Sequence, residues 1–263
     1  MHYPRLPKCQ GLSLLEIFIS LAISLLITLG MVQLFIHNKL AYQVDANLFI
    51  LQENSHFISR HVKKIIQLSG YRSPPEAGAF APRETLFPAS APAIEVGYQN
   101  QTNNSDSLTI RYQGSGDGQG TPDGTIRDCL NRPVDANQIA TNIFSLNEQL
   151  QLQCQAINPS ASPSDKTDIL MDGLEKMQVV LGEDLTQDFS PNRYVAANYS
   201  ALELERVTSL RIVFLLRTTK EVKATARSTE FDLLGLSYTS PQDRYLRKPL
   251  VMTVQLPNFM QKI

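Results

Sequence analysis

Gly11-Leu12-Ser13-Leu14-Leu15-Glu16 opens an apolar run that continues to residue 36, and this stretch decides how the chain folds. Between residues 12 and 36 the only charged side chain is Glu16, and the polar side chains are small or uncharged. About 20 apolar residues in a helix cross the roughly 30 Å hydrocarbon core of a bilayer. The stretch therefore predicts a transmembrane helix, and it is too long for the apolar region of a secretory signal peptide.

Glu16 is unusual because it lies inside the predicted membrane segment. A carboxylate there costs about 2.5 kcal/mol or more on insertion scales, and such residues are usually paired and functional. Cleavage of the chain after Gly11 would create a cation, the α-amino group of Leu12, about one helical turn from Glu16. On a neighbouring copy shifted along the helix axis, the same amine could pair with Glu16 directly. The alternative interpretation is a signal anchor with an incidental glutamate at the membrane interface.

The short basic segment that ends in Gly11, the glutamate five residues later and the apolar helix together resemble the class III leader of type IV prepilins. The resemblance implies that a membrane-embedded aspartyl peptidase cuts between Gly11 and Leu12 and then methylates the amino group of Leu12. It also implies that Glu16 is the glutamate that acts in assembly. The chain departs from the family at Leu12, where phenylalanine or methionine is usual.

Charge and cysteine content bear on three properties of the chain: a nucleic-acid partner, a lipoprotein site and a disulfide. The 263 residues carry a formal net charge of −1, which does not indicate a nucleic-acid partner. Cys9 lies in the segment that processing would remove and precedes the apolar helix, so it is not a lipoprotein site. The remaining pair, Cys129 and Cys154, predicts a disulfide in an exported domain, whereas two free thiols would be expected in the cytosol.

The orientation in the membrane follows from the basic residues of the leader. Arg5 and Lys8 keep the amino-terminal end cytoplasmic by the positive-inside rule. Most of the chain is therefore expected in the periplasm, outside the inner membrane. Lys39, just beyond the other end of the apolar run, weakly favours the opposite orientation.

The helix is predicted to continue beyond the membrane, because residues 37–69 contain no glycine or proline. Apolar residues recur in this segment at the spacing of one helical face, and they are Leu40, Val44, Leu48, Leu51, Ile58, Val62 and Ile65. Gly70 and Pro74-Pro75 then provide stop signals. A single helix of about 58 residues would be roughly 85 Å long. A separate soluble helix after a hinge is the alternative.

The predicted organisation has five parts. Residues 1–11 are the leader peptide, 12–36 the transmembrane half of the helix and 37–70 its amphipathic half. Residues 71–105 are rich in proline, alanine, serine and asparagine and are interpreted as an irregular connector. Residues 106–263 are interpreted as a β-rich globular domain. The expected fold class is α+β, with the long helix packed on one antiparallel β-sheet.

Alternation of apolar and polar residues predicts the strands of this sheet. The predicted strands are 107–112, 142–146, 150–156, 176–181 and 207–217, with 229–234 and 250–256 closing the sheet. The glycine-rich segment 114–124 does not have the spacing of a phosphate-binding loop, and it is interpreted as an exposed loop.

A second resemblance covers nearly the whole mature chain. Its motifs are Leu51-Gln52-Glu53-Asn54, Ser69-Gly70-Tyr71-Arg72, Asp106-Ser107-Leu108-Thr109-Ile110-Arg111-Tyr112-Gln113-Gly114, Asp128-Cys129, Met171-Asp172-Gly173-Leu174-Glu175-Lys176-Met177-Gln178-Val179, Arg193-Tyr194-Val195-Ala196-Ala197, Val207-Thr208-Ser209-Leu210-Arg211-Ile212-Val213-Phe214-Leu215-Leu216-Arg217 and Thr253-Val254-Gln255-Leu256-Pro257-Asn258. These motifs resemble the minor pilins of the PilW type. The resemblance implies a type IV pilin-like fold and a low-abundance subunit that primes assembly of a type IV pilus at or near its tip. The implied partners are the prepilin peptidase, other minor pilins, the major pilin and the inner membrane.

Members of this family often carry a Tyr-Gly-x-Asp motif followed by a run rich in aspartate and glycine that resembles a calcium loop. In residues 181–192, the corresponding stretch of this chain, the spacing of the calcium ligands is broken. Asp184 and Asp188 are therefore weak calcium candidates, and a solvated acidic turn is the preferred interpretation.

No catalytic constellation is apparent in the sequence. The three histidines of the long helix, His37, His56 and His61, lack the spacing of metal ligands, and the carboxylates are scattered. The chain is therefore not expected to be an enzyme or to bind a cofactor. Two alternatives remain open, a minor pseudopilin of a type II secretion system and a membrane-anchored periplasmic binding or enzymatic module.

Overall fold

The computed structural model describes residues 13–74, 82–223 and 225–259 of the chain. The chain divides into two compact units, Met1–Ala46 and Asn47–Ile263. The predicted leader, together with Gly11 and Leu12, lies outside the described residues. The first unit therefore shows the apolar part of the helix, and the second contains the end of the helix and all the strands.

The helical region begins at Leu14 and ends at Gln67. It consists of α1 (Leu14–Phe57), a π-helical turn (Ile58–Val62) and α2 (Lys63–Gln67). A turn at residues 68–70 follows the helical region, and in it Gly70 adopts a φ of 68°, a left-handed conformation that glycine accepts at little cost. The Gly70 backbone N–H then donates to the Arg111 carbonyl oxygen at 2.9 Å, so the chain joins a strand as soon as it leaves the helix.

Within the second unit, the predicted apolar stripe of the helix is buried except at Leu48, which is partly exposed. Leu51, Ile58, Val62 and Ile65 each expose at most 3% of their surface. A π-helical turn holds an additional residue and shifts the register of a helical face. Beyond that turn Ile66 is buried together with Ile65, so the last turn presents a wider apolar face to the core.

Eleven strands follow in the described residues. They are β1 (Ile94–Gln101), β2 (Ser105–Gln113), β3 (Ile139–Leu146), β4 (Gln151–Ile157), β5 (Asp165–Asp172), β6 (Leu174–Glu183), β7 (Arg193–Ala196), β8 (Val207–Arg217), β9 (Glu230–Leu233), β10 (Leu236–Thr239) and β11 (Arg247–Gln255). A short helix, α3 (Arg83–Leu86), precedes β1. All the pairings are antiparallel. The α+β class predicted from the sequence is confirmed.

The prediction of one sheet was wrong, because the described strands form three. One sheet has the order β1-β2-β3-β4-β5, another has the order β11-β8-β6-β7, and β9 pairs only with β10. The segment predicted at 229–234 therefore does not close the main sheet. Its hairpin packs on the outer face of β8, where Val213 and Leu215 expose at most 1% of their surface. A strand that is apolar on both faces needs a cover on each side, and the hairpin provides the second one.

The irregular connector is shorter than the sequence analysis predicts. Residues 94–101 form β1, which pairs with β2 in a register that places Ile94 opposite Ile110. The alternation of Ile94, Val96 and Tyr98 was available in the sequence, but neighbouring proline, alanine and asparagine residues obscured it. The first residue of this strand borders a groove that is described below.

The core of the second unit lies between the helix and the two larger sheets. The β2 side chains Leu108, Ile110 and Tyr112 are fully buried, as their alternation predicts. Burying a large apolar side chain contributes roughly 1.5–3 kcal/mol, so a core of this extent is the main stabilising term.

Candidate functional site

Glu16 has a hydrogen-bond partner within its own helix. Its Oε2 atom accepts a hydrogen bond from the Ser13 backbone N–H, with 2.9 Å between nitrogen and oxygen. Ser13 directly precedes the first residue of α1, so Ser13 and Glu16 have the spacing of a capping box. The negative charge also lies at the positive end of the helix dipole. The carboxylate thus satisfies a helix-terminal donor, whereas the partner predicted from the sequence, the Leu12 amine, lies outside the described residues.

The apolar part of α1 has the character of a membrane segment. Among the residues that the structure describes, one helix is long and apolar enough to cross a bilayer, with a mean hydropathy of 2.3 in its most apolar window. Its few hydroxyl groups donate to carbonyl oxygens one turn earlier, and these pairs are Ser20 to Ile17, Ser24 to Leu21 and Thr28 to Ser24, at 2.7–3.0 Å. Satisfying these groups within the helix lowers the cost of placing them in lipid.

The structure joins Cys129 and Cys154, the two cysteines of the predicted pair, in a disulfide bond. Their Cα atoms are 6.5 Å apart, and both residues are buried. Cys154 lies in β4, and Cys129 lies in the long connection between β2 and β3, residues 114–138, which we call the β2–β3 loop. The disulfide therefore ties this loop to the five-stranded sheet.

Buried aspartates organise the β2–β3 loop. The Asp128 carboxylate accepts hydrogen bonds from Arg132 Nε at 2.7 Å and from Asn158 Nδ2 at 3.0 Å. Asp135, 1% exposed, accepts from the backbone N–H groups of Gly118 and Gly120 at 3.3 Å. The glycine-rich tip is exposed, as predicted, but the base of the loop is buried and held by these carboxylates.

His61 connects the same loop to the helix. Its Nε2 atom donates to the Cys129 carbonyl oxygen at 2.8 Å, and its ring stacks on Phe57 with 5.1 Å between ring centroids. A loop remote in sequence therefore covers part of the His61 side chain. The disulfide, the loop and the end of α1 are thus one connected structure.

Removing the disulfide is expected to lower the free energy of unfolding. Its sequence separation is 25 residues, and a loop of that length corresponds to about 3 kcal/mol in the loop-entropy model. Urea unfolding of the full chain in detergent micelles should therefore shift to lower midpoints in the double variant Cys129→Ala and Cys154→Ala. Cys9→Ala is the matched control and should unfold like the parent chain; equal midpoints for all three proteins would contradict the expectation.

The weak calcium candidates occupy a turn that the protein itself organises. The Asp184 carboxylate accepts backbone N–H groups of Thr186, Gln187 and Phe189 at 3.1, 2.7 and 2.8 Å. Burial raises the pKa of Asp184, but these donors outweigh it and hold the pKa below its usual range. The turn is solvated at residues 185–190, as the sequence predicted, but Asp184 at its base is only 4% exposed. The Asp184 oxygens already accept hydrogen bonds from backbone N–H groups. The Asp188 carboxylate accepts a separate hydrogen bond, from the Ser190 N–H at 2.9 Å.

Sequence reasoning missed a buried ion pair in the second unit. Arg247 Nε lies 2.7 Å from Glu175 Oε2, and the two side chains are 1% and 2% exposed. Arg247 Nη1 also donates to Asp243 Oδ1 at 2.6 Å, and Tyr238 Oη donates to Glu175 Oε1 at 2.6 Å. The Arg247 guanidinium lowers the pKa of Asp243, whereas burial and Glu175 raise the pKa of Tyr238. The cluster joins the β9–β10 hairpin to β6 and β11.

A second buried carboxylate, Asp106, connects the two larger sheets. Its Oδ1 atom accepts from the Gln99 backbone N–H in β1, and its Oδ2 atom accepts from the Val179 backbone N–H in β6, both at 2.8 Å. Burial raises the pKa of the Asp106 carboxyl. The sequence contained an indication of this burial. Asp106, Leu108 and Ile110 are two residues apart, so they lie on the same face of the strand, and that face points inward.

Comparisons with known proteins complete the description. The family model for Type IV Pilus-assembly protein W, PilW, matches residues 138–258, a range that contains β3 to β11. A type IV-like pilin from Thermus thermophilus is similar in structure, with 15% sequence identity, a TM-score of 0.48 and coverage of 80% of this chain and 98% of that chain. A comparison with curated protein sequences gave no match.

The matched range includes four of the motifs that carried the sequence resemblance, those that begin at Met171, Arg193, Val207 and Thr253. The motifs before residue 138 lie outside it. Over residues 138–258 the chain is therefore similar to the PilW family, which supports a type IV pilus protein of the PilW type and confirms the resemblance predicted from the sequence.

Proposed function

We propose that this chain is a minor pilin, a structural subunit that helps to initiate assembly of a type IV pilus at or near its tip. The match of residues 138–258 to the PilW family carries the proposal. The apolar helix that begins with Glu16 supports it, because a pilin must be stored in lipid and then buried among other helices. The proposed role is assembly, with no chemical step after processing.

In the proposed sequence of events, the prepilin peptidase first removes residues 1–11 and methylates the Leu12 amine. The helix stays in the inner membrane, and Arg5 and Lys8 have by then oriented it with the globular unit in the periplasm. That compartment is oxidising and favours disulfides such as Cys129–Cys154. The stored subunit then waits with Glu16 bonded to its own helix terminus.

Incorporation into the pilus moves the helix from lipid into a bundle of helices. Two interactions drive this transfer in our proposal. Apolar residues 17–36, which are exposed in the isolated chain, pack against neighbouring helices. Glu16 gives up or shares its hydrogen bond from the Ser13 N–H and pairs with the amino-terminal amine of an adjacent pilin subunit. Pairing the carboxylate with a second, oppositely charged group adds a Coulomb attraction that the neutral Ser13 amide does not supply, so the exchange favours the assembled state.

The state of the amino terminus tests the proposal most directly. Protein isolated from membranes is expected to begin at N-methylated Leu12, because cleavage creates the cation on which the pairing depends. Intact mass and amino-terminal sequencing would show both the loss of residues 1–11 and the added methyl group. Gly11→Val, which adds a branched side chain beside the bond to be cut, should retain the leader. Normal pili that contain the uncleaved parent chain would contradict the proposal.

A further inference from the structure

A groove of the second unit lies between the starts of β1 and β8. It has a volume of about 660 Å³. Its floor is apolar and includes Phe87, Ile94 and Val207, which expose at most 6% of their surface. A volume of this size is within the range of sites that bind ligands and is larger than a single side chain requires.

The wall before β1 is held in place by groups from the helix end and β2. Arg111 Nη1 donates to the Pro92 carbonyl oxygen at 2.7 Å, and Ser69 Oγ donates to the Ala93 carbonyl oxygen at 3.0 Å. Pro92 and Ala93 both line the groove. Since their carbonyl groups are bonded to other elements of the fold, this wall keeps its position without an occupant.

The opposite wall precedes β8 and depends on Glu183, which is fully buried. Its carboxylate accepts the Glu203 backbone N–H at 3.1 Å and Arg193 Nε at 2.8 Å. The backbone N–H of Asp184 also donates to the Arg206 carbonyl oxygen at 2.9 Å. Both walls are thus preorganised, which removes an ordering cost that a flexible groove would add to binding.

The rim of the groove is acidic. It carries Glu84, Glu203 and Glu205, all exposed, and the groove residues that the structure describes include no lysine or arginine. Glu203 forms an ion pair with Arg206 at 2.7 Å. Among the described groove residues, Glu84 and Glu205 are thus the carboxylates outside that ion pair.

We propose that this groove docks a segment of another protein subunit of the pilus, one that presents a large apolar side chain next to a lysine or arginine. The apolar side chain would fill the floor, while the aliphatic stem of the basic residue lies along the wall and its charge reaches Glu84 or Glu205. The negative rim would also steer a basic segment towards the groove and disfavour acidic ones. The identity of the occupant as a pilus subunit rests on the proposed function.

Two labelled peptides test the chemistry of the groove, acetyl-Lys-Phe-Leu-Lys-amide and acetyl-Glu-Phe-Leu-Glu-amide. Fluorescence anisotropy with the full chain in detergent micelles is expected to show binding of the basic peptide only. The double variant Glu84→Gln and Glu205→Gln should weaken it about tenfold, as expected for the loss of two exposed ion pairs. The double variant Glu148→Gln and Glu221→Gln removes two exposed carboxylates elsewhere and should bind like the parent chain.

The apolar contact has its own test. Leu204 lines the groove and is 39% exposed, so Leu204→Ser should weaken binding of the basic peptide without unfolding the chain. Equal binding of both peptides, or an equal loss in the Glu148/Glu221 control, would overturn the proposal. A homodimer that dissociates in the Glu84/Glu205 variant would also overturn it, because the occupant would then be a second copy of this chain.

Pilus counts separate this inference from the proposed function. If the groove docks a pilus subunit, the Glu84/Glu205 variant should be processed at Leu12 normally yet support fewer pili. Unchanged pilus numbers in a variant that no longer binds the basic peptide would overturn the docking proposal. The proposed function would still stand, because it is tested by the amino terminus and by Glu16.

Discussion

Glu16→Ala is expected to leave the chain inserted in the membrane and to reduce its incorporation into pili by about tenfold or more. Insertion should survive because the variant helix is more apolar than the parent. Incorporation should fail because the amino-terminal amine of a neighbouring pilin subunit would then be buried without a partner. Leaving one member of a buried pair uncompensated costs about 3–5 kcal/mol. Immunoblots of sheared pili and of membranes would measure the two pools separately.

Glu16→Gln separates two roles of this side chain. A glutamine can still accept the Ser13 N–H through its carbonyl oxygen, so it preserves the capping interaction seen in the structure. It lacks the negative charge that pairing with an amine requires. If charge pairing drives incorporation, the Glu16→Gln variant should fail to incorporate, as Glu16→Ala does. If capping alone matters, Glu16→Gln should incorporate normally. Gln33→Ala, at an uncharged polar position of the same helix, is the matched control and should incorporate normally.

Glu175→Ala is expected to destabilise the globular unit by about 3–5 kcal/mol, because it leaves the buried Arg247 guanidinium with less compensation. Asp243 remains bonded to Arg247 and keeps the loss towards the lower end of that range. Urea unfolding of the full chain, followed by circular dichroism because the chain has no tryptophan, would measure the change.

An exposed ion pair provides the control for this experiment. Glu95 pairs with Arg111 at 2.9 Å, but its side chain is 55% exposed. Glu95→Ala should therefore cost less than about 1 kcal/mol. The double variant Glu175→Leu and Arg247→Met should recover much of the lost stability, since apolar replacements of a buried pair are often neutral or stabilising. Equal losses for Glu175→Ala and Glu95→Ala would contradict the assignment of Glu175 to a buried pair.

Periodic patterns in the sequence predicted the features that belong to a single helix or strand. The apolar stripe of the helix, the stop at Gly70 and the alternation of Leu108, Ile110 and Tyr112 each follow from the period of one element. The strand predicted at 207–217 coincides with β8. These features need no knowledge of what the element packs against.

The features that could not be predicted depend on contacts between distant residues. Glu175 and Arg247 are 72 residues apart, and nothing near either residue indicates the other. The β9–β10 hairpin forms a separate sheet because it covers the second face of β8 instead of pairing with its edge. The apolar–polar alternation within β9 does not indicate which of these two positions the strand takes. The groove is built in the same way, from segments before β1 and before β8 that only the folded chain brings together.

Asp106 has a consequence for the order in which the globular unit folds. One of its oxygens serves β1 and the other serves β6, so each large sheet supplies a donor that the other cannot replace. If only one sheet were assembled, one oxygen of the Asp106 carboxylate would lack its hydrogen-bond donor. Burying such an unpaired oxygen away from water is costly. The two sheets should therefore be completed together. Partly folded chains should be short-lived, so that under the proposed function only complete subunits would be available for assembly.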